Sequence, residues 1–170
     1  MGKLLLDGVY LDPDPARGVA LLQSAAEAGD TEAQTTLGLA LLWGTDVAAN
    51  PKQARDWLES AARAGNTRAM RSLGEALIGG WALERDSATG RALLEEAAGQ
   101  GDVDSKLTLG SFLMAGRDLP RDMPRATALF EEAAAAGNAE GLEKLGAFLM
   151  WTERDPAAAE SYLRRAGEMG

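Results

Sequence analysis

The chain has 170 residues, a net charge of −9 and 5% aromatic residues, with neither cysteine nor histidine. The acidic balance argues against broad binding of nucleic acid, which rests on Lys and Arg, and against an anionic membrane surface. Disulfides, thiol catalysis, Cys/His zinc sites and imidazole bases are excluded, no apolar run is long enough to span a bilayer, and the abundance of alanine and leucine predicts helix.

In chain order, the first unit opens on Met1-Gly2-Lys3-Leu4-Leu5-Leu6-Asp7. Its apolar run stops at Asp7, too early for a signal peptide, and Leu6 stands where N-myristoylation needs Ser or Thr. Asp7, Asp12 and Asp14 offer oxygens of the kind Ca²⁺ takes, but the Asp-Pro-Asp-Pro string has the spacing of a turn and helix cap, not of an EF-hand. Residues 31–66 show the full unit. Thr31 to Trp43 predicts a helix, A; Gly44 to Ala49 predicts a loop; Asn50 to Ala64 predicts a second helix, B, which Gly65-Asn66 ends. Asn50 is the N-cap, with Pro51 at the first helical position, where a missing N–H costs nothing. Asp86, Asp122 and, upstream, Asp14 keep the same place. Residues 67–102 and 103–138 repeat the unit. The last copy, 139–170, loses three residues between Met150 and Asp155. It puts Thr152 where Gly8, Gly44, Gly80 and Gly116 stand, starts helix B at Asp155-Pro156, and has Gly170 at the final cap position.

Three marks share a period of 36 residues: Gly29, Gly65, Gly101 and Gly137; the Leu-Gly pairs ending at Gly38, Gly74, Gly110 and Gly146; and the Ala-Ala pairs starting at Ala25, Ala61, Ala97 and Ala133. Such a period signals a solenoid, one supersecondary unit stacked on its copies. The expected fold is all-α, an α-α superhelix of about five helix-turn-helix repeats at 1–30, 31–66, 67–102, 103–138 and 139–170, forming a single repeat domain. Counting back puts Gly2 in the Leu-Gly place, so the first repeat is truncated and begins inside a helix A. That predicts a piece excised from a longer protein, with a short first helix in a complete protein as the alternative.

Packing accounts for the marks. Ala33, Leu37 and Leu41 form a helical stripe on A, facing Ala54, Trp57-Leu58 and Ala61 on B. The tightest approach is expected at Gly38 and its copies and at the Ala61-Ala62 pair, so Gly38→Leu should overpack it at a cost of roughly 1–3 kcal/mol. Leu11, Val47, Leu83 and Leu119 are expected to plug the end of each hairpin from the loop.

The unit resembles that of the Sel-one-like repeat family, a relative of the tetratricopeptide repeat. Ala33, Leu37-Gly38, Gly44, Val47, Asn50, Ala54, Trp57-Leu58, Ala61-Ala62 and Gly65 stand at the family's positions. The likeness runs from Gly2 to Gly170. The 36-residue spacing and the Ala-Ala-x-x-Gly ending separate it from the 34-residue tetratricopeptide unit. What the resemblance implies is binding without catalysis: an adaptor or scaffold for a protein or peptide partner, in bacteria often in envelope assemblies such as polysaccharide export, polar localisation or signalling. It favours the periplasm or envelope, with the cytoplasm left open, and implies no cofactor.

The resemblance also places helix A on the concave face. Its off-stripe residues would then line a groove: Glu32, Thr35, Leu39 and Trp43; Arg68, Arg71 and Glu75; Asp104, Leu107 and Ser111; Glu140, Glu143, Ala147 and Trp151; with Lys3 and Asp7 in the first copy. Arg68 and Arg71 would either grip a partner carboxylate in forked geometry or form a ladder of salt bridges to Glu32, Asp104 or Glu75. Trp43 and Trp151 read as hot-spot anchors or as packing between units. Trp81 reads as a second plug beside Leu83, with an exposed contact as the other option. Two further functional readings are a carboxylate enzyme acting on cell-wall glycan and a spacer that self-associates end to end. Glu95-Glu96 and Glu131-Glu132 are adjacent on helix B and do not provide the opposed carboxylates of a glycosidase.

Overall fold

A computed structural model describes residues 15–169. Nine α-helices and no strand occur among the described residues: α1 Pro15–Glu27, α2 Thr31–Trp43, α3 Pro51–Arg63, α4 Thr67–Gly79, α5 Ser87–Gly99, α6 Val103–Ala115, α7 Met123–Ala135, α8 Glu140–Phe148 and α9 Pro156–Gly167. Even-numbered helices are the expected A helices and odd-numbered ones the B helices. Expectations for Met1, Gly2, Lys3, Asp7, Gly8, Leu11, Asp12, Asp14 and Gly170 lie outside the described residues. The chain divides into two compact units, Met1–Leu93 and Leu94–Gly170.

Helix ends follow from residue chemistry. The side chains of Asn50, Asp86, Asp122 and Asp155 accept from the N–H of Gln53, Thr89, Arg125 and Ala158 in the first turn of each B helix. The same cap residue also donates its own N–H back to helix A: Asn50 to the Leu41 carbonyl (2.8 Å), Asp86 to Leu77 (2.9 Å) and Asp122 to Leu113 (3.0 Å). Each loop is thereby clipped to the hairpin it closes. Gly29, Gly65, Gly101 and Gly137 all take a left-handed φ between 88° and 93°, which a Cβ would oppose.

In the first unit α2 packs on α3. Ala33, Leu37, Leu41, Ala54, Leu58 and Ala61 are buried between and around them. The close approach falls at Gly38, where a Cβ would lie 2.8 Å from Leu58 Cγ and 3.3 Å from the Ala54 carbonyl. In the second unit a Cβ on Gly110 would meet the Phe130 ring at 2.6 Å, and one on Gly146 would meet Leu163 Cγ at 2.6 Å. The plugs differ from one another. Leu83 and Leu119 are buried, whereas Val47 is only half-buried.

The shortened last repeat closes by another route. A π-helical turn, Leu149–Glu153, extends α8. Arg154 then takes the left-handed conformation (φ 54°), and Asp155 donates to the Leu149 carbonyl at 2.9 Å. Wider coiling and one strained non-glycine residue take up the missing loop.

Candidate partner-binding surface

In the first unit, the A-helix residues fall into three groups. Glu32 and Arg68 pair across neighbouring repeats, with Arg68 Nη1 donating to Glu32 Oε1 at 2.6 Å. This is the ladder arrangement weighed for Arg68. The pair is about half exposed, so its contribution is small. Leu39, Arg71 and Glu75 are half-buried. Thr35, by contrast, is fully buried, and its hydroxyl donates to the Thr31 carbonyl at 2.7 Å. It does not line a groove. Buried Gln34 beside it donates to the Ala26 carbonyl at 3.0 Å and ties α2 to the end of α1.

In the second unit, Leu107 is 5% exposed and belongs to the core. Like Thr35, it lies off the A-to-B stripe yet is covered, because a helix inside a stack has neighbours on more than one side. Ser111 is half-buried and donates to the Leu107 carbonyl at 2.7 Å. Asp104, Glu140, Glu143 and Ala147 are exposed, with Glu140 held by Lys144 at 3.1 Å.

The tryptophans stand apart from this polar surface. Trp43 is 55% exposed, Trp151 82% and Trp81 49%. Trp81 is therefore not a plug; Leu83 alone takes that place. The Trp81 ring instead lies over Gly79, where a Cβ would come within 2.5 Å of it. Gly79 is the residue one period after Trp43. The indole of Trp81 thus fills the space that a side chain at position 79 would claim. The sequence order of the loop could not reveal this, since it depends on the left-handed turn at Gly80 and Ala82 (φ 69° and 60°). Trp57 is half-buried in a shallow hollow on α3 with Gln53, Asp56 and Ser60.

Charge on the B helices is absorbed in pairs. Arg165 donates twice to Glu131, at 2.8 and 2.6 Å, joining α9 to α7. These bonds hold the Glu131 carboxyl below its ordinary range and raise the Arg165 guanidinium above its own. Lys106 meets Glu132 at 2.9 Å. Asp86 is likewise held down, here by the Thr89 hydroxyl and N–H. No group of three or more acidic side chains converges as a metal site among the described residues. None of their helices is long and apolar enough to cross a membrane.

The Sel1 repeat pattern matches the chain five times, over residues 1–30, 31–66, 67–102, 107–138 and 144–170. The chain belongs to the Sel1 repeat family. Its fold class is accordingly the helical repeat solenoid, and Sel1-repeat proteins are generally protein-interaction scaffolds. Among solved structures, it resembles c5321 of uropathogenic Escherichia coli, a protective antigen, with 27% identity and a TM-score of 0.80 over 98% of this chain and 36% of that one. A Sel1 repeat protein of Oxalobacter formigenes gives 24% identity and a TM-score of 0.81, over 99% and 70%. Cysteine-rich protein B of Helicobacter pylori gives 21% and 0.56, over 76% and 92%. This Sel1 chain spans about a third of the c5321 protein, and no curated protein matches it.

Proposed function

We propose that this Sel1-repeat chain is a non-catalytic scaffold that holds a partner protein segment against the first helices of its repeats. The observation that supports it best is the exposure of Trp43 and Trp151, which share a place in the 36-residue register, Trp43 at the end of α2 and Trp151 in the π-helical turn after α8. Tryptophan is costly to leave in water and is the residue most enriched at binding hot spots. The chain holds neither histidine nor cysteine, and Glu131 and Glu132, on a B helix, are held in ion pairs, which favours contact over proton transfer. The family resemblance extends this reading to an assembly role in a bacterial envelope. The half-exposed Glu32, Arg68, Arg71 and Glu75 would form the polar rim.

The test is partner capture by the immobilised chain, with bound proteins identified by mass spectrometry. Trp43→Ala with Trp151→Ala should remove the captured partner while helicity is unchanged, and Arg68→Glu with Arg71→Glu should weaken capture. Because Arg68 already pairs with Glu32, the tryptophan variant is the sharper of the two. Undiminished capture by both would remove these residues from the function.

A further inference from the structure

The last B helix keeps open a face that the B helix before it has covered. Allowing for the three residues lost from the last loop, Leu163 of α9 stands where Phe130 stands on α7, and Asp155 where Asp122 does. On α7, Met123, Thr127, Glu131 and Ala134 are half-buried and Phe130 is wholly buried. Helix α8 packs on α7, and a Cβ on its Gly141 would lie 2.9 Å from Phe130. On α9 the equivalent Pro156, Glu160, Leu163, Arg164 and Gly167 are all exposed. They recur at i, i+4, i+7, i+8 and i+11, so they form one stripe. Leu163 is held by α8 from behind, where a Cβ on Gly146 would lie 2.6 Å from its Cγ, yet it stays 40% exposed.

The charges on this stripe select what can cover it. In two inner B helices the basic residue comes first, as Arg55 and Glu59, paired at 2.7 Å, and as Arg91 and Glu95. Helix α9 reverses the order to Glu160 and Arg164. Neither of these side chains makes a hydrogen bond or ion pair with another described residue. The charges around them are engaged elsewhere: Arg165 donates twice to Glu131 on α7, Glu168 adds to the negative field at Arg165, and Asp155 caps the helix. When a second α9 is set antiparallel about a twofold axis beside Tyr162, position 160 of each helix faces position 164 of the other. The twofold contact makes that opposite-charge pair twice. The same operation brings the two Leu163 side chains close to the axis. It also sets Ala157 against Gly167, where small residues permit close approach. Arg154, exposed just ahead of α9, falls at the end of the partner helix that carries Glu168. A parallel copy in register would oppose Glu160 to Glu160 and Arg164 to Arg164, which repels.

We propose that the open face of α9 is a self-complementary interface through which two copies of this chain associate, α9 against α9, as a closed dimer. The proposal does not depend on the scaffold reading. It adds to it that one assembly would present two partner-binding surfaces. The stripe is a single helix long, which suits a weak dimer. Sedimentation of the chain over a concentration series should show a monomer passing to a dimer and to nothing larger. Glu160→Arg and Arg164→Glu, both at exposed positions, should each weaken association at least about tenfold, with circular dichroism unchanged. Mixed in equal amounts, these two variant chains should dimerise again, because position 160 of one and position 164 of the other are then opposite in sign at both contacts. Exchanging the two residues within one chain should restore its own dimer. A monomer at about 1 mM would overturn the proposal. So would growth beyond a dimer, which needs a head-to-tail contact, single variants that associate as the native chain does, or a mixture that associates no more tightly than either variant alone.

Discussion

At the scale of single residues, glycine sites in the hairpins separate by what stands where a side chain would go. A Cβ on Gly90 would lie 2.6 Å from the backbone carbonyl of Gly74, which cannot turn aside. At Gly38 the nearest atom is Leu58 Cγ at 2.8 Å, a buried side chain with little room to move. At Gly99, the last residue of α5, nothing lies within 4 Å and φ is not left-handed. Alanine should therefore destabilise most at Gly90, next at Gly38 by roughly 1–3 kcal/mol, and should stabilise at Gly99 by about 0.4–1 kcal/mol. Thermal midpoints of the three variants would check the order. A destabilising Gly99→Ala would mean that the surface there is not open. The importance of Gly38 was legible in the sequence because the Leu-Gly pair recurs on the common beat. The role of Gly79 was not, because what fills its place is a tryptophan two residues on, in a loop whose path the pattern does not encode.

At the scale of helices, both ends of helix B were readable from Asn50 and Gly65 because cap chemistry is local. The caps of helix A carry the same 36-residue beat and were missed. Asp30, Asn66, Asp102 and Asn138 each accept from a backbone N–H of the following helix, but beside the C-cap glycines they read only as the end of helix B. Burial of Thr35 and Leu107 was also illegible, since the amphipathic stripe identifies one neighbour and a stacked helix has several. Between elements, the Glu131–Arg165 link predicts a pH response. Arg165 holds the Glu131 carboxyl below its ordinary value of 4.5, so on acidification the unfolded chain takes up that proton first. The stabilisation is complete above about 4.5 and is lost as pH falls through the lower folded value. In urea titrations over this window, Glu131→Gln should flatten the fall in stability. An unchanged slope would show that the link does not persist in solution.

At the scale of the whole molecule, repeat proteins owe their stability to each unit and to its cover by the next. One side chain per B helix reports that cover. Leu58, Leu94 and Phe130 are wholly buried, whereas the equivalent Leu163 is 40% exposed. For Phe130 the cover is visible: a Cβ on Gly141 of α8 would lie 2.9 Å from the Phe130 Cβ, so the next A helix presses directly on it. No described residue does this for Leu163. Truncation should then cost unequal amounts along the chain. Leu58→Ala should cost about 2–5 kcal/mol and Phe130→Ala about 3–5 kcal/mol, with Leu163→Ala well below either because part of that side chain is already in water. Urea midpoints at low protein concentration give the comparison. A Leu163→Ala cost equal to that of Leu58→Ala would mean that something covers this face in solution. Sedimentation across a concentration series would then show whether the cover is a second copy, in which case the Leu163→Ala cost should diminish on dilution.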